Sequence, residues 1–161
     1  MNIGFLAKGL MLFGLLFMNG SVHAAGAYKS SAALQSDYEV MNWHGGTLMV
    51  GTLTGVAEIY GSTSSLITNG SVMINCGTRI LTSGSDLDLI SNCIQRDMSG
   101  NEFYTVAERK AGTADIGGDG AGVQKIVGGT GKYAGVTGNC TYAVKFLEAP
   151  WITVESTCSL D

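Results

Sequence analysis

Four cysteines, Cys76, Cys93, Cys140 and Cys158, flank two turn signals in pairs, and this spacing constrains the fold more than any other feature of the 161-residue chain. Ser83-Gly84-Ser85-Asp86 reads as a two-residue hairpin loop, with glycine in the first central position of a type II′ turn. The register that pairs Ser83 with Asp86 sets Cys76 opposite Cys93 at a non-hydrogen-bonded site. There the Cα atoms approach to about 4.5 Å, at the short end of what a disulfide spans. A second hairpin, turning at Glu148-Ala149-Pro150, sets Cys140 opposite Cys158. Its two faces separate: Cys140, Tyr142, Val144 and Phe146 share one with Ile152, Val154, Ser156 and Cys158, while Thr141, Ala143, Lys145, Thr153, Glu155 and Thr157 share the other. Such period-2 alternation marks a half-buried antiparallel pair. The registers predict disulfides Cys76–Cys93 and Cys140–Cys158.

Disulfides require an oxidising compartment, and the N-terminus supplies a route to one. Residues 1–24 have the layout of a signal peptide: Lys8, an apolar run from Gly9 to Met18, then small residues at Val22 and Ala24 that suit cleavage after Ala24. The run is shorter than the roughly 20 apolar residues of a membrane span. The expected product is a periplasmic or extracellular protein with no integral membrane association after cleavage. Residues 25–36 are expected to form a flexible arm, and residues 37–161 a single β-barrel domain.

Thirteen acidic against nine basic side chains give a net charge of −4, with no polybasic patch, which argues against nucleic acid as a partner. Twenty-four glycines against one proline, mixed with Val, Ile, Thr and Tyr, point to short strands joined by tight turns. Asn69-Gly70 reads as a type I′ hairpin between Leu66-Ile67 and Val72-Met73-Ile74, and Ser99-Gly100-Asn101 as another turn. Thr47 to Tyr60 reads as a strand broken or bent at Gly51 and Gly55, and Asp115 to Gly122 as a glycine-rich loop. Many strands and no amphipathic helix define an all-β sandwich or closed barrel.

The most distinctive stretch is Gly128-Gly129-Thr130-Gly131-Lys132-Tyr133-Ala134-Gly135, ending at Gly138. Physically, Gly128 and Gly129 allow a sharp turn, Thr130 caps one helical turn, Gly135 releases the chain into the next strand, and Tyr133 swings over the open end of the sheet. The stretch resembles the G-G-T-G-K-Y-A-G-x-x-G signature of small secreted bacterial proteins whose barrel is similar to that of allene oxide cyclases and plant dirigent proteins. The likeness extends more weakly over Cys76 to Tyr104, including Asp97-Met98-Ser99-Gly100-Asn101. It implies an eight-stranded antiparallel, calycin-like barrel. A phosphate-binding loop is excluded, since Ile126 and Tyr133 stand where that pattern needs glycine and Ser or Thr.

No catalytic constellation, metal site or cofactor motif emerges. His44 stands alone beside Gly45-Gly46 as a turn or strand-end residue. Asp115 and Asp119 match no calcium-loop spacing. Barrels of the cyclase kind enclose an apolar cavity, which Tyr142, Phe146 and Val154 would line, with the Tyr142 hydroxyl as a polar handle. The favoured expectation is nonetheless a filled core, because eight strands make a barrel barely wider than its own side chains. The leading functional expectation is binding of a small apolar ligand or of another protein. A cofactor-independent cyclase or isomerase using an inward Glu58 or Glu108 is the first alternative. An outer-membrane barrel is the second, with Tyr142, Val144 and Phe146 toward lipid and Lys145 and Glu155 in the lumen.

Overall fold

In a computed structural model of the protein, residues 25–114 and 118–161 are described, and the expected signal peptide at 1–24 lies outside them, as do Asp115 and its two successors. The described residues form strands β1 (Gly26–Trp43), β2 (Gly46–Tyr60), β3 (Gly70–Ser83), β4 (Asp86–Asp97), β5 (Glu102–Arg109), β6 (Asp119–Gly129), β7 (Gly138–Phe146) and β8 (Trp151–Leu160), with one 3-10 turn at Gly131–Tyr133. Each strand pairs antiparallel with its neighbour and β8 returns to β1, closing an eight-stranded barrel. Closure removes the unpaired edges that an open sheet would expose.

The two hairpin registers are as expected: Ser83 pairs with Asp86 and Cys76 with Cys93, while Phe146 pairs with Ile152 and Cys140 with Cys158. Gly84 has φ 59°, as the first position of a type II′ turn demands. Both predicted disulfides are formed, each with Cα atoms 4.0 Å apart. All four cysteines are buried, so the bridges face the barrel interior.

The expected flexible arm at 25–36 is instead the first half of β1. It pairs on one side with β8, from Gly26 opposite Leu160 to Gln35 opposite Trp151, and on the other with β2. Tyr28, Ala32 and Leu34 alternate inward and are buried. The small residues Ser30, Ser31, Ala32 and Ala33 hide that alternation in the sequence, because neither face is marked by bulk.

Asn69-Gly70 does not form the predicted tight hairpin. Residues 61–69 make a longer connection that folds across one end of the barrel, with Ile67 fully buried among the core residues. Side chains hold this plug: Asn69 Oδ1 accepts from the Ser62 N–H (2.9 Å), and Ser64 Oγ accepts from the Leu66 N–H (3.1 Å). β2 is likewise continuous rather than broken. Gly51 and Gly55 mark places where its backbone runs too close to the Asp37 and Ala33 carbonyls of β1 to admit a side chain.

The last hairpin shows the sense of the wall. Tyr142 and Val144 are buried inside, while Lys145 and Glu155 are exposed outside. An outer-membrane barrel of the kind considered above requires the reverse.

Candidate functional site

The interior is not filled. A cavity with about 90 Å³ within reach of the centre of a water molecule runs along the barrel, where a single water needs roughly 10–15 Å³. The expectation of a closed-packed core fails because the strands send small side chains inward at mid-barrel: Ser30 and Ala32 on β1, Ser91 on β4, Ala107 on β5 and Ser156 on β8. An eight-stranded barrel fills itself only when its inward residues are bulky.

The cavity wall has two characters. On one side Ala32, Leu34, Val144, Phe146, Ile152 and Val154 of β1, β7 and β8 present an apolar surface. On the other, β3 to β6 carry buried polar groups that satisfy one another. Thr78 and Ser91 hydroxyls share a hydrogen bond of 2.7 Å, and Thr105 Oγ1 accepts from Gln95 Nε2 at 3.3 Å and from Gln124 Nε2 at 2.7 Å. Buried polar groups paired in this way cost little. Tyr142, Phe146 and Val154 all lie in the wall. The Tyr142 hydroxyl donates to the Glu108 carbonyl at 3.4 Å, and burial pushes its pKa up to about 12, so it stays a neutral phenol. Burial does the same to Tyr38, also raised to about 12.

The charged group in the cavity is one that sequence reasoning passed over. Arg109, the last residue of β5, is 1% exposed and lines the cavity. Its Nε donates to the Ala111 carbonyl (2.8 Å) and its Nη2 to the Thr113 carbonyl (2.6 Å), pinning the chain just after β5. Cζ lies 5.7 Å from the centroid of the Phe146 ring, within cation–π range. Nη1 is buried with no hydrogen-bond partner among the described residues. Burial lowers the guanidinium pKa, yet arginine has no accessible neutral form, so the cation persists.

Room for Arg109 comes from β6. The glycines read above as part of a loop are strand residues from Asp119 onward. A Cβ on Gly120 would fall 2.2 Å from Arg109 Cζ, and one on Gly122 would fall 2.5 Å from the Tyr142 hydroxyl. The missing side chains of β6 are thus the space that the Arg109 and Tyr142 heads occupy.

The glycine-rich signature closes the opposite end. Gly128 and Gly129 end β6, Gly131 to Tyr133 form the 3-10 turn, and Gly135 (φ 77°) precedes β7. Thr130 stands at the N-cap position, but its hydroxyl accepts from the Glu102 N–H (3.1 Å) instead of capping the turn. Tyr133, 2% exposed, packs edge-on against Phe103 with ring centroids 5.1 Å apart. Its hydroxyl donates to Asp97 (3.1 Å), which also takes the Lys132 ammonium (2.9 Å) and the N–H groups of Ser99 (2.8 Å) and Asn101 (3.0 Å). The glycine-rich stretch and the Asp97–Asn101 turn therefore meet in one clamp around Asp97. Every group in it serves another, which makes it a structural lock.

The remaining sequence candidates lie elsewhere. Glu58 accepts from Ser71 Oγ (2.6 Å) on the outer surface, and Glu108 is exposed there too. His44 sits at φ 46° in the β1–β2 turn against Trp43. Among the described residues no cluster of three or more metal-ligating side chains occurs. Comparison with protein-family models, with curated proteins and with solved structures finds no match.

Proposed function

We propose that this protein is exported, matures by cleavage after Ala24, and binds a small, mainly apolar molecule inside its barrel. The carrying observation is the interior cavity, with an apolar wall on β1, β7 and β8 and an internally satisfied polar wall opposite. Apolar cavities with a few convergent polar groups are the common form of small-molecule sites. A second, outer groove lined by Met49, Leu147, Pro150 and Trp151 shares Tyr38, Phe146 and Ile152 with the cavity, so the two adjoin at that end. Export is supported by two formed disulfides, which persist in oxidising compartments. Glu58 and Glu108, the carboxylates that isomerase chemistry would draw on, point to solvent, so binding is the reading the geometry favours.

Xenon-129 NMR on the purified protein tests the cavity with a neutral probe. A bound-xenon shift is expected, lost in Ala32→Phe, which places a ring in the middle of the void. No xenon uptake by wild-type protein refutes the binding reading. N-terminal sequencing of the protein from its own host should begin at Ala25.

A further inference from the structure

We infer that the ligand carries a single anionic head, a carboxylate, held by Arg109, with its apolar body along the β1–β7–β8 wall. This deepens the binding reading above and rests on it. Three observations converge on the head group. Among the described residues Arg109 is the one charged side chain that lines the cavity, and none of the described lining residues carries a charge to neutralise it. Among the described residues the ion pairs join Arg79, Arg96, Lys110 and Lys132 to acids, and Arg109 is in none of them. Its Nε and Nη2 are committed to backbone carbonyls, which fixes the guanidinium plane and leaves Nη1 buried without an acceptor among the described residues.

A buried cation is costly unless it meets an opposite charge, and an unmet N–H adds the desolvation penalty of the donor. A carboxylate oxygen at Nη1 removes both penalties at once. One cation matches one negative charge. A dianionic phosphate monoester would leave a net charge in the same buried site, which the surrounding serines, glutamines and tyrosines cannot balance. The position also fits the shape of the void. Arg109 lies at the end of β5, beside Phe146 at the end where the groove lies, while the apolar wall extends from Phe146 and Ile152 toward Ala32. An amphiphile would therefore lie along the barrel axis with its acid at Arg109.

The test titrates full-length mature protein with hexanoate and with hexanamide, its neutral isostere, by NMR, alongside the xenon measurement. Hexanoate should bind at least roughly tenfold tighter, the scale of one charge-assisted hydrogen bond. Its addition should move the Arg109 Nε–H and Gly120 amide signals. In Arg109→Met the preference should vanish, with hexanoate falling to the affinity of hexanamide. Since that variant also loses two loop contacts, the comparison in wild-type protein decides alone if it fails to fold. Xenon uptake with hexanoate no tighter than hexanamide, or with shifts confined to residues outside the cavity, overturns the anionic head and leaves the cavity reading standing. Failure of xenon and both hexyl probes overturns the two together.

Discussion

Replacing Gly120 with alanine should destabilise the barrel by about 2 kcal/mol, while the same change at Gly77 should be neutral or slightly stabilising. Both glycines lie inside strands, and neither has a positive φ, so backbone strain does not distinguish them. Their surroundings do. A Cβ at Gly77 meets nothing within 4 Å, whereas one at Gly120 lands 2.2, 2.5 and 2.6 Å from Arg109 Cζ, Nε and Nη2. The guanidinium must then move, and it is tied to the Ala111 and Thr113 carbonyls. Overpacking a filled site costs about 1–3 kcal/mol, and disturbing charge-assisted bonds adds to it. Lower entropy of the unfolded chain returns about 0.4–1 kcal/mol in both variants. Urea unfolding with disulfides intact measures the difference through the midpoint at unchanged slope. The double variant Arg109→Met/Gly120→Ala separates cause from coincidence: with the guanidinium gone, the alanine should cost no more than it does at position 77. Equal stabilities for Gly120→Ala and Gly77→Ala in the wild-type background would refute the claim that β6 is hollowed out to seat Arg109.

Three further outcomes are expected. Replacing Cys76 and Cys93 together by alanine, or Cys140 and Cys158, should each cost about 3 kcal/mol in urea, since the bridges close loops of nearly equal length, with sequence separations of 17 and 18. Tyr133→Phe should cost about 1 kcal/mol by removing one donor to Asp97 while keeping the ring on Phe103. Burial pushes the Asp97 pKa up, but Lys132, the Asn101 and Ser99 N–H groups and the Tyr133 hydroxyl outweigh it and hold the carboxyl well below the usual range. Its contribution is thus complete above the unfolded-state pKa and lost as pH falls below that value, so Asp97→Asn should flatten part of the acid limb of a stability–pH curve.

The first hairpin was legible because a two-residue turn fixes register, and the last because its two faces alternate cleanly on either side of Glu148-Ala149-Pro150; in each, register fixes every later pairing, including cysteine with cysteine. The N-terminal half of β1 was not, because alternation can be read only where the two faces differ in bulk or polarity, and Ser30 to Ala33 differ in neither. Asn69-Gly70 misled for another reason. The dipeptide permits a tight turn but does not compel one, and burial of Ile67 favours the longer plug. Arg109 was hidden inside Glu108-Arg109-Lys110, which reads as a solvated charge run. Its parity with Phe103, Thr105 and Ala107 was nonetheless available, and it points inward with them. What no local pattern could supply is the pairing of a large residue on β5 with absent side chains on β6, a complementarity that exists only once the strands are adjacent.

That complementarity also bears on why the disulfides sit where they do. A void of about 90 Å³ forfeits packing on the order of 2 kcal/mol, by the cost of cavities left in protein cores. Glycines at mid-strand add a further entropic cost, since they leave the unfolded chain more freedom to lose. Cys76 and Cys93 line the cavity itself, and Cys140 and Cys158 belong to the core beside it. Each bridge narrows the unfolded ensemble without placing bulk in the interior, as another leucine would. Filling the void with Ala32→Leu should therefore make the bridges less necessary, at the expense of the space for a ligand. Measured in the background lacking Cys76 and Cys93, Ala32→Leu should recover about 1 kcal/mol or more of urea stability while abolishing xenon uptake. Stability that stays unrecovered while uptake is lost would mean that the void is not the source of the deficit the bridges offset.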